Sequence, residues 1–249
     1  MILKYQFDNK ISPMICLDFD GVLFDTAKEA YIVANEAYFG KDVENYAQFL
    51  LLRPFVVSAW QYLLIFDLIS KNMNNEVLLK NYKQQSMFKP TSRDITFEKK
   101  FNSVRERMIH VDKSRWLKLH EPYDFFRLIK PMLIKCPQYF QIVSTKSRKF
   151  ILELLLDQGV FWNDIQVLDR DNFKECGESK AEVLKRYFNT MPVLFIDDSC
   201  KHLNEVELLS NVEVIPANWG YIETSNVEDN TSFAVTKIEN YLRDICHSY

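Results

Sequence analysis

The sequence predicts an α/β protein: a doubly wound parallel sheet with an all-helical domain inserted behind its first strand. Three observations predict it. A short apolar run, Met14 to Asp18, has the length and composition of a buried parallel strand. The stretch that follows, roughly 26–120, reads as helix throughout. From Pro122 onward helix and strand patterns alternate, the signature of a sheet with helices on both faces. A chain of 249 residues has room for such a core and an inserted domain.

Taken in order, Ile2 to Phe7 is a candidate edge strand and Met14 to Asp18 the first firm one. Ala27, Ala30, Tyr31, Ala34, Ala37 and Tyr38 recur at helical spacing, with Gly40 as a C-terminal stop. Residues 44–69 and 76–87 also read as helical, broken near Pro54, Asn72 to Asn75 and Pro90. Phe97, Phe101, Val104 and Met108 form another helical stripe, with Asp94 its expected N-cap. Strands are then expected at Tyr139 to Val143, Ile165 to Leu168, Val193 to Ile196 and Val212 to Ile215. Helices are expected at Tyr123 to Lys135, Ser147 to Gln158, Ser179 to Phe188, Lys201 to Leu209 and Phe233 to Cys246. The expected division is 1–25 with 121–249 as the α/β core and 26–120 as the helical insert. An insert that long exceeds an ordinary crossover.

An apolar fraction of 47% with 14% aromatics supports a sizeable core and excludes a disordered chain. A net charge of −3 gives no broad electrostatic reason to expect nucleic acid. The five cysteines are scattered, odd in number and without a CxxC, so neither a disulfide framework nor a zinc site is indicated. The four histidines form no ligand cluster. The start of the chain lacks the apolar core of a signal peptide, and Phe55 to Ile69 is too short and too polar to span a bilayer. No membrane association and a reducing, cytoplasmic setting are expected.

Four stretches carry chemistry. In the first, Asp18-Phe19-Asp20-Gly21, residues two apart on an extended chain leave the strand tip on one side. Two adjacent carboxylates repel unless a cation or shared proton relieves them. The pair is therefore suited to a divalent metal, with one carboxylate oxygen kept for attack. Gly21 permits a backbone turn there. In the second, Gln141 to Ser147, an apolar strand runs into Ser144, Thr145, Lys146 and a helix start; hydroxyls and helix amides there can bind a phosphoryl oxygen. An ordinary capped loop is the alternative. In the third, Ser179 and Glu182 make a capping box that puts Lys180 at the first helical position, where a cation opposes the helix dipole and a nearby anion would compensate. A solvated surface lysine is the alternative. In the fourth, the run Val193 to Ile196 ends in Asp197 and Asp198.

In this order, these motifs resemble those of the haloacid dehalogenase-like hydrolases, in particular phosphatases of the phosphoglycolate phosphatase-like type with a helical C1 cap and a Rossmann-like core. The resemblance covers residues 12–26 and roughly 120–221, about half of the chain. It implies a Mg²⁺-dependent phosphatase acting on a small soluble phosphorylated metabolite. Asp18 would be nucleophile and metal ligand, and Asp20 the acid/base and a ligand through its backbone carbonyl. Ser144 and Lys180 would stabilise the transferring group. Asp198 would be a direct ligand, with Asp197 acting through water or as a second ligand. Gly21, Thr145 and, on the insert, Arg53 are candidate substrate contacts; for Arg53 a surface residue capping a carbonyl is the competing reading. Ala217 to Tyr221 resembles a loop often found behind this sheet edge. Asp20 argues against a dehalogenase, which lacks an acid there. A phosphomutase would use the same four stretches, and a catalytically silent binding protein on this fold is a further alternative. A receiver-like phosphoacceptor is too short and lacks such an insert, and no lysine is singled out for phosphonate cleavage.

Overall fold

The structure, a computed structural model, describes residues 13–40, 45–177, 179–222 and 227–246. Met14–Leu17 forms β1 and Phe24–Asp25 the short β2. Five helices follow: α1 (Ala27–Phe39), α2 (Tyr46–Leu52), α3 (Gln61–Ile69), α4 (Asn75–Gln85) and α5 (Ser92–Leu117). Gly40 ends α1 at φ 67°, as its position predicts. Pro54 sits in a 3-10 turn, Arg53–Phe55, directly after α2. Asn74 caps α4, accepting the Val77 amide at 2.9 Å. Helix α5 begins differently from expectation. Thr91 is the N-cap, and Asp94 is its capping-box partner, taking the Thr91 amide at 2.7 Å. Near its end α5 is broken at Asp112 (φ −150°, ψ 80°), whose carboxylate takes the Arg115 amide at 2.9 Å.

Glu121–Pro122 forms β3, which pairs with β2. The alternation follows: α6 (Asp124–Lys135), β4 (Phe140–Val143), α7 (Arg148–Asp157), β5 (Val167–Leu168), α8 (Arg170–Cys176), α9 (Lys180–Phe188), β6 (Val193–Asp197), α10 (Cys200–Val206), β7 (Val212–Pro216) and α11 (Thr231–Cys246). Helix α8 is an addition to the expected elements. Its seven residues are too few for a periodic stripe, but Asp169 caps it and Gly177 closes it at φ 96°. The expected strand Ile2 to Phe7 and residue Glu178 lie outside the described residues. Cys136 is disulfide-bonded, contrary to expectation, because cysteine spacing along a chain does not report approach in space. Cys16, Cys176 and Cys200 are free thiols.

The chain divides into two compact units, Met1–Phe24 with Pro122–Tyr249, and Asp25–Glu121. In the first, five parallel strands run in the order β5-β4-β1-β6-β7. The chain winds outward from β1 through β4 to β5, then returns to the other side of β1 with β6. The order therefore reverses between β1 and β6, where open α/β sheets place ligands at their carboxyl ends. Cys16, Val143 and Phe195 meet Phe173, Val183, Leu184, Leu203 and Val206 from α8, α9 and α10 on one face. The alternate residues Ile15, Leu17, Leu194 and Ile196 are fully buried on the opposite face. Helix α11 packs against α6.

The second unit is the helical insert between β1 and β4, α1 through α5, with a core of its own. Aromatic rings dominate it: Tyr31 and Phe49 meet edge-on at 5.4 Å, and Phe49 stacks on Tyr62 at 5.4 Å. A buried ion pair ties α1 to α5. Arg105 donates to both oxygens of Glu29, at 2.6 and 2.7 Å, and Trp116 Nε1 adds a third bond at 3.1 Å. A carboxylate with no solvent exposure needs this satisfaction. No helix among the described residues is long and apolar enough to cross a membrane.

Candidate active site

Parallel pairing brings the acids together. Leu17 is level with Ile196 across β1 and β6, and the Asp18 amide donates to the Ile196 carbonyl at 2.9 Å. Asp18 therefore emerges beside Asp197, the last residue of β6. On the other side Leu17 is level with Ile142, which sets Ser144 just past the tip of β4. Ser144 is buried, and its hydroxyl accepts the Lys146 amide at 3.4 Å.

Lys180 resolves the repulsion between the two strand tips. Its Nζ lies 2.7 Å from Asp18 Oδ2 and 2.6 Å from Asp197 Oδ2. At 1% exposure it is not the solvated lysine that its position alone would allow. Burial lowers the affinity of this amine for its proton, but the two carboxylates outweigh burial and raise it above the usual lysine range. Burial pushes the Asp18 carboxyl up; Lys180 opposes that push and Asp197 adds to it, leaving Asp18 above the usual range. Burial acts in the same direction on Asp197, but Lys180 and His202 together overcome it and hold this acid well below the carboxylate range. Asp197 also takes the Ser199 amide at 2.8 Å and approaches His202 Nδ1 at 3.2 Å. It thus fixes the cation that in turn holds Asp18.

The backbone turns sharply after Asp18. The Phe19 carbonyl accepts amides of Leu23 and Phe24, and the Gly21 amide returns to the Phe24 carbonyl at 2.9 Å. Gly21 sits at φ 85°, the left-handed region its sequence position anticipates. The Asp20 side chain is held by Lys146, whose Nζ lies 3.1 Å away and is itself buried. Asp198 accepts the Tyr221 amide at 2.9 Å.

The structure thus gathers Asp18, Asp20, Gly21, Ser144, Lys180, Asp197 and Asp198 at the carboxyl ends of β1, β4 and β6 or directly beyond them. Thr145 is exposed. Arg53 belongs to the helical unit and is buried, not a surface residue. It lies close enough to Tyr82 to counter, in part, the burial that raises that phenol. Sequence reasoning undervalued Lys146 and His202. Lys146 follows Ser144 by two residues, and His202 lies in the first turn of the helix behind β6, so chain position was the available signal. Asp18, Asp197 and His202 bring potential ligand atoms within 4.8 Å of one another, but the Lys180 ammonium already serves the two acids of that group.

No protein-family model matches the sequence, and no curated protein matches it either. Solved structures do. A predicted phosphatase from Clostridium acetobutylicum is similar over 93% of this chain and 100% of its own, with a TM-score of 0.56 and 16% identity. A haloacid dehalogenase-like family hydrolase from Streptococcus pneumoniae matches 86% of this chain and 88% of its own, with a TM-score of 0.53 and 11% identity. A predicted phosphoglycolate phosphatase from Haemophilus somnus matches 90% and 92%, with a TM-score of 0.50 and 14% identity. The chain therefore shares the fold of the haloacid dehalogenase-like hydrolases, with its helical insert placed as their C1 cap is.

Proposed function

We propose that this protein is a Mg²⁺-dependent phosphatase that hydrolyses a small soluble phosphate monoester through an aspartyl-phosphate on Asp18. The observation that carries the reading is the buried Lys180 ammonium bridging Asp18 and Asp197 at the point where the strand order reverses.

The donor chemistry fits the metal. Asp18, Asp20, Asp197 and Asp198 are four carboxylates, and Lys146 and Lys180 are two ammonium groups. Even with Asp20 protonated for its role as acid, the carboxylates outnumber the ammonium groups, so this largely buried cluster is net negative and suits a divalent cation. Mg²⁺ takes hard oxygen ligands, and the Asp18 carboxylate, the Asp20 carbonyl and the Asp198 carboxylate would hold it. When bound it would neutralise charge on the phosphoryl oxygens.

The chain's own groups do the rest. A carboxylate oxygen of Asp18 forms a bond to phosphorus as the ester P–O bond breaks. Asp20, steadied by Lys146, gives a proton to the departing alkoxide and later takes one from the water that hydrolyses the acyl phosphate. That second step returns Asp18 to a carboxylate and releases inorganic phosphate. Ser144 and the Lys180 ammonium balance charge on the transferring group. On the insert, Arg53 is assigned to a second anionic group of the substrate. The test is Asp18→Asn. It should abolish Mg²⁺-dependent release of phosphate from monoesters while the protein stays folded, and full activity in that variant would contradict the assignment.

A further inference from the structure

The loop after β7, residues 217–221, has no role in the chemistry above, yet it is packed against both acidic strand ends. Trp219 Nε1 donates to the Val22 carbonyl at 3.0 Å, and the Trp219 ring stacks on Phe125 at 4.5 Å. These contacts anchor the loop to the turn that follows Asp20 and to α6. The anchoring presses Gly220 against Gly21. A methyl group at Gly220 would overlap the Gly21 carbonyl oxygen, and would lie 2.8 Å from Asp198 Cβ and 3.0 Å from the Gly21 carbonyl carbon. A methyl group at Gly21 would overlap Asp198 Oδ2 and lie 2.8 Å from Tyr221 Cδ2. Both approaches require glycine. The next amide along, Tyr221 N–H, donates to Asp198 Oδ2 at 2.9 Å.

We infer that the Trp219-Gly220-Tyr221 loop is a positioning clamp for the metal-binding carboxylate of Asp198, locking it in register with the Gly21 turn. An acid at a strand tip has free rotation about two side-chain bonds. An amide bonded to one oxygen, with glycine-only contacts against the Cβ and the second strand tip, removes that freedom before any cation arrives. Outer partners of this kind typically govern metal affinity about 10- to 100-fold. The clamp rests on the metal set proposed above, but it concerns Trp219, Gly220 and Tyr221, to which the proposed reaction gives no role.

The test is Mg²⁺ binding to the whole protein by calorimetry, with thermal unfolding measured with and without Mg²⁺. Gly220→Ala should weaken Mg²⁺ about tenfold or more and shrink the Mg²⁺-induced rise in Tm, while turnover at saturating Mg²⁺ recovers most of its value. Trp219→Phe, which keeps a smaller aromatic ring but loses the bond to Val22, should show a smaller shift in the same direction. Leu154→Ala, a core truncation in α7, controls for instability and should lower Tm with no change in Mg²⁺ affinity. If folded Gly220→Ala and Trp219→Phe proteins bind Mg²⁺ as the parent does, the clamp is refuted and the proposed reaction stands. If the parent binds Mg²⁺ and the variants weaken it but no monoester is hydrolysed, the clamp stands and the reaction falls. A parent protein that binds no Mg²⁺ overturns both.

Discussion

Lys180→Met tests the electrostatics at the centre of the site. The substitution keeps the length of the side chain and removes the ammonium that lies 2.7 Å from Asp18 and 2.6 Å from Asp197. Asp197 has no solvent exposure, so water cannot replace the lost partner without rearrangement. Removing one partner from a buried ion pair costs about 3–5 kcal/mol. For a chain of this size that corresponds to a fall in Tm of roughly 6–20 °C. The sign with pH follows from the shifts. In the parent, Asp197 titrates below its unfolded value of about 3.9, so its contribution is present above that pH and lost as pH falls further. In the variant, burial acts unopposed by Lys180 and raises the folded values of both acids. The deficit is then full near neutrality and shrinks as the pH falls toward about 4, where protonation neutralises the acids. Thermal unfolding of parent and variant without metal, between pH 4 and pH 8 at fixed salt, measures both effects. A variant within about 0.5 kcal/mol of the parent at pH 7, the size of an ordinary surface substitution, would refute the reasoning.

Three other outcomes are expected. Arg105→Leu strands the buried Glu29 carboxylate and should lower stability by about 3–5 kcal/mol; Glu29→Leu combined with it should restore part of that loss in denaturant unfolding. Ser144→Ala should reduce kcat/KM for a monoester by about 10²–10³, the usual cost of one lost transition-state donor, with Tm changed by only a few degrees. Arg53→Ala should raise KM for substrates with a second anionic group more than for those without one; an equal effect on both would remove Arg53 from the substrate contacts.

The inner strands of the sheet were legible because they are buried on both faces and therefore mostly apolar. Val193 to Ile196 and Met14 to Leu17 can be read from hydrophobicity alone, and the acids at their tips mark where each strand meets the site. Short-range chemistry was harder to place. Thr91 and Asp94 both suit a helix start, and their reciprocal bonds, which only coordinates display, decide which one is the cap. Helix α8 escaped because seven residues give two turns and no stripe. The roles of partners distant in sequence were the least legible. Lys146 and Asp20 are 126 residues apart, and Trp219 and Val22 are 197 apart; nothing local in either segment announces the other. Four acids were readable as a group, whereas the division of labour among them depends on which cation or amide each one faces.

The most direct test of the central claim is a single-turnover reaction with a reactive monoester, quenched in acid and mapped by mass spectrometry. A covalent phosphoryl group should be found on the peptide bearing Asp18, absent from the Asp18→Asn protein and decaying faster with Asp20 intact than in Asp20→Asn. Phosphate release with no phosphorylated Asp18 at any time, or phosphorylation that persists in Asp18→Asn, would contradict the account.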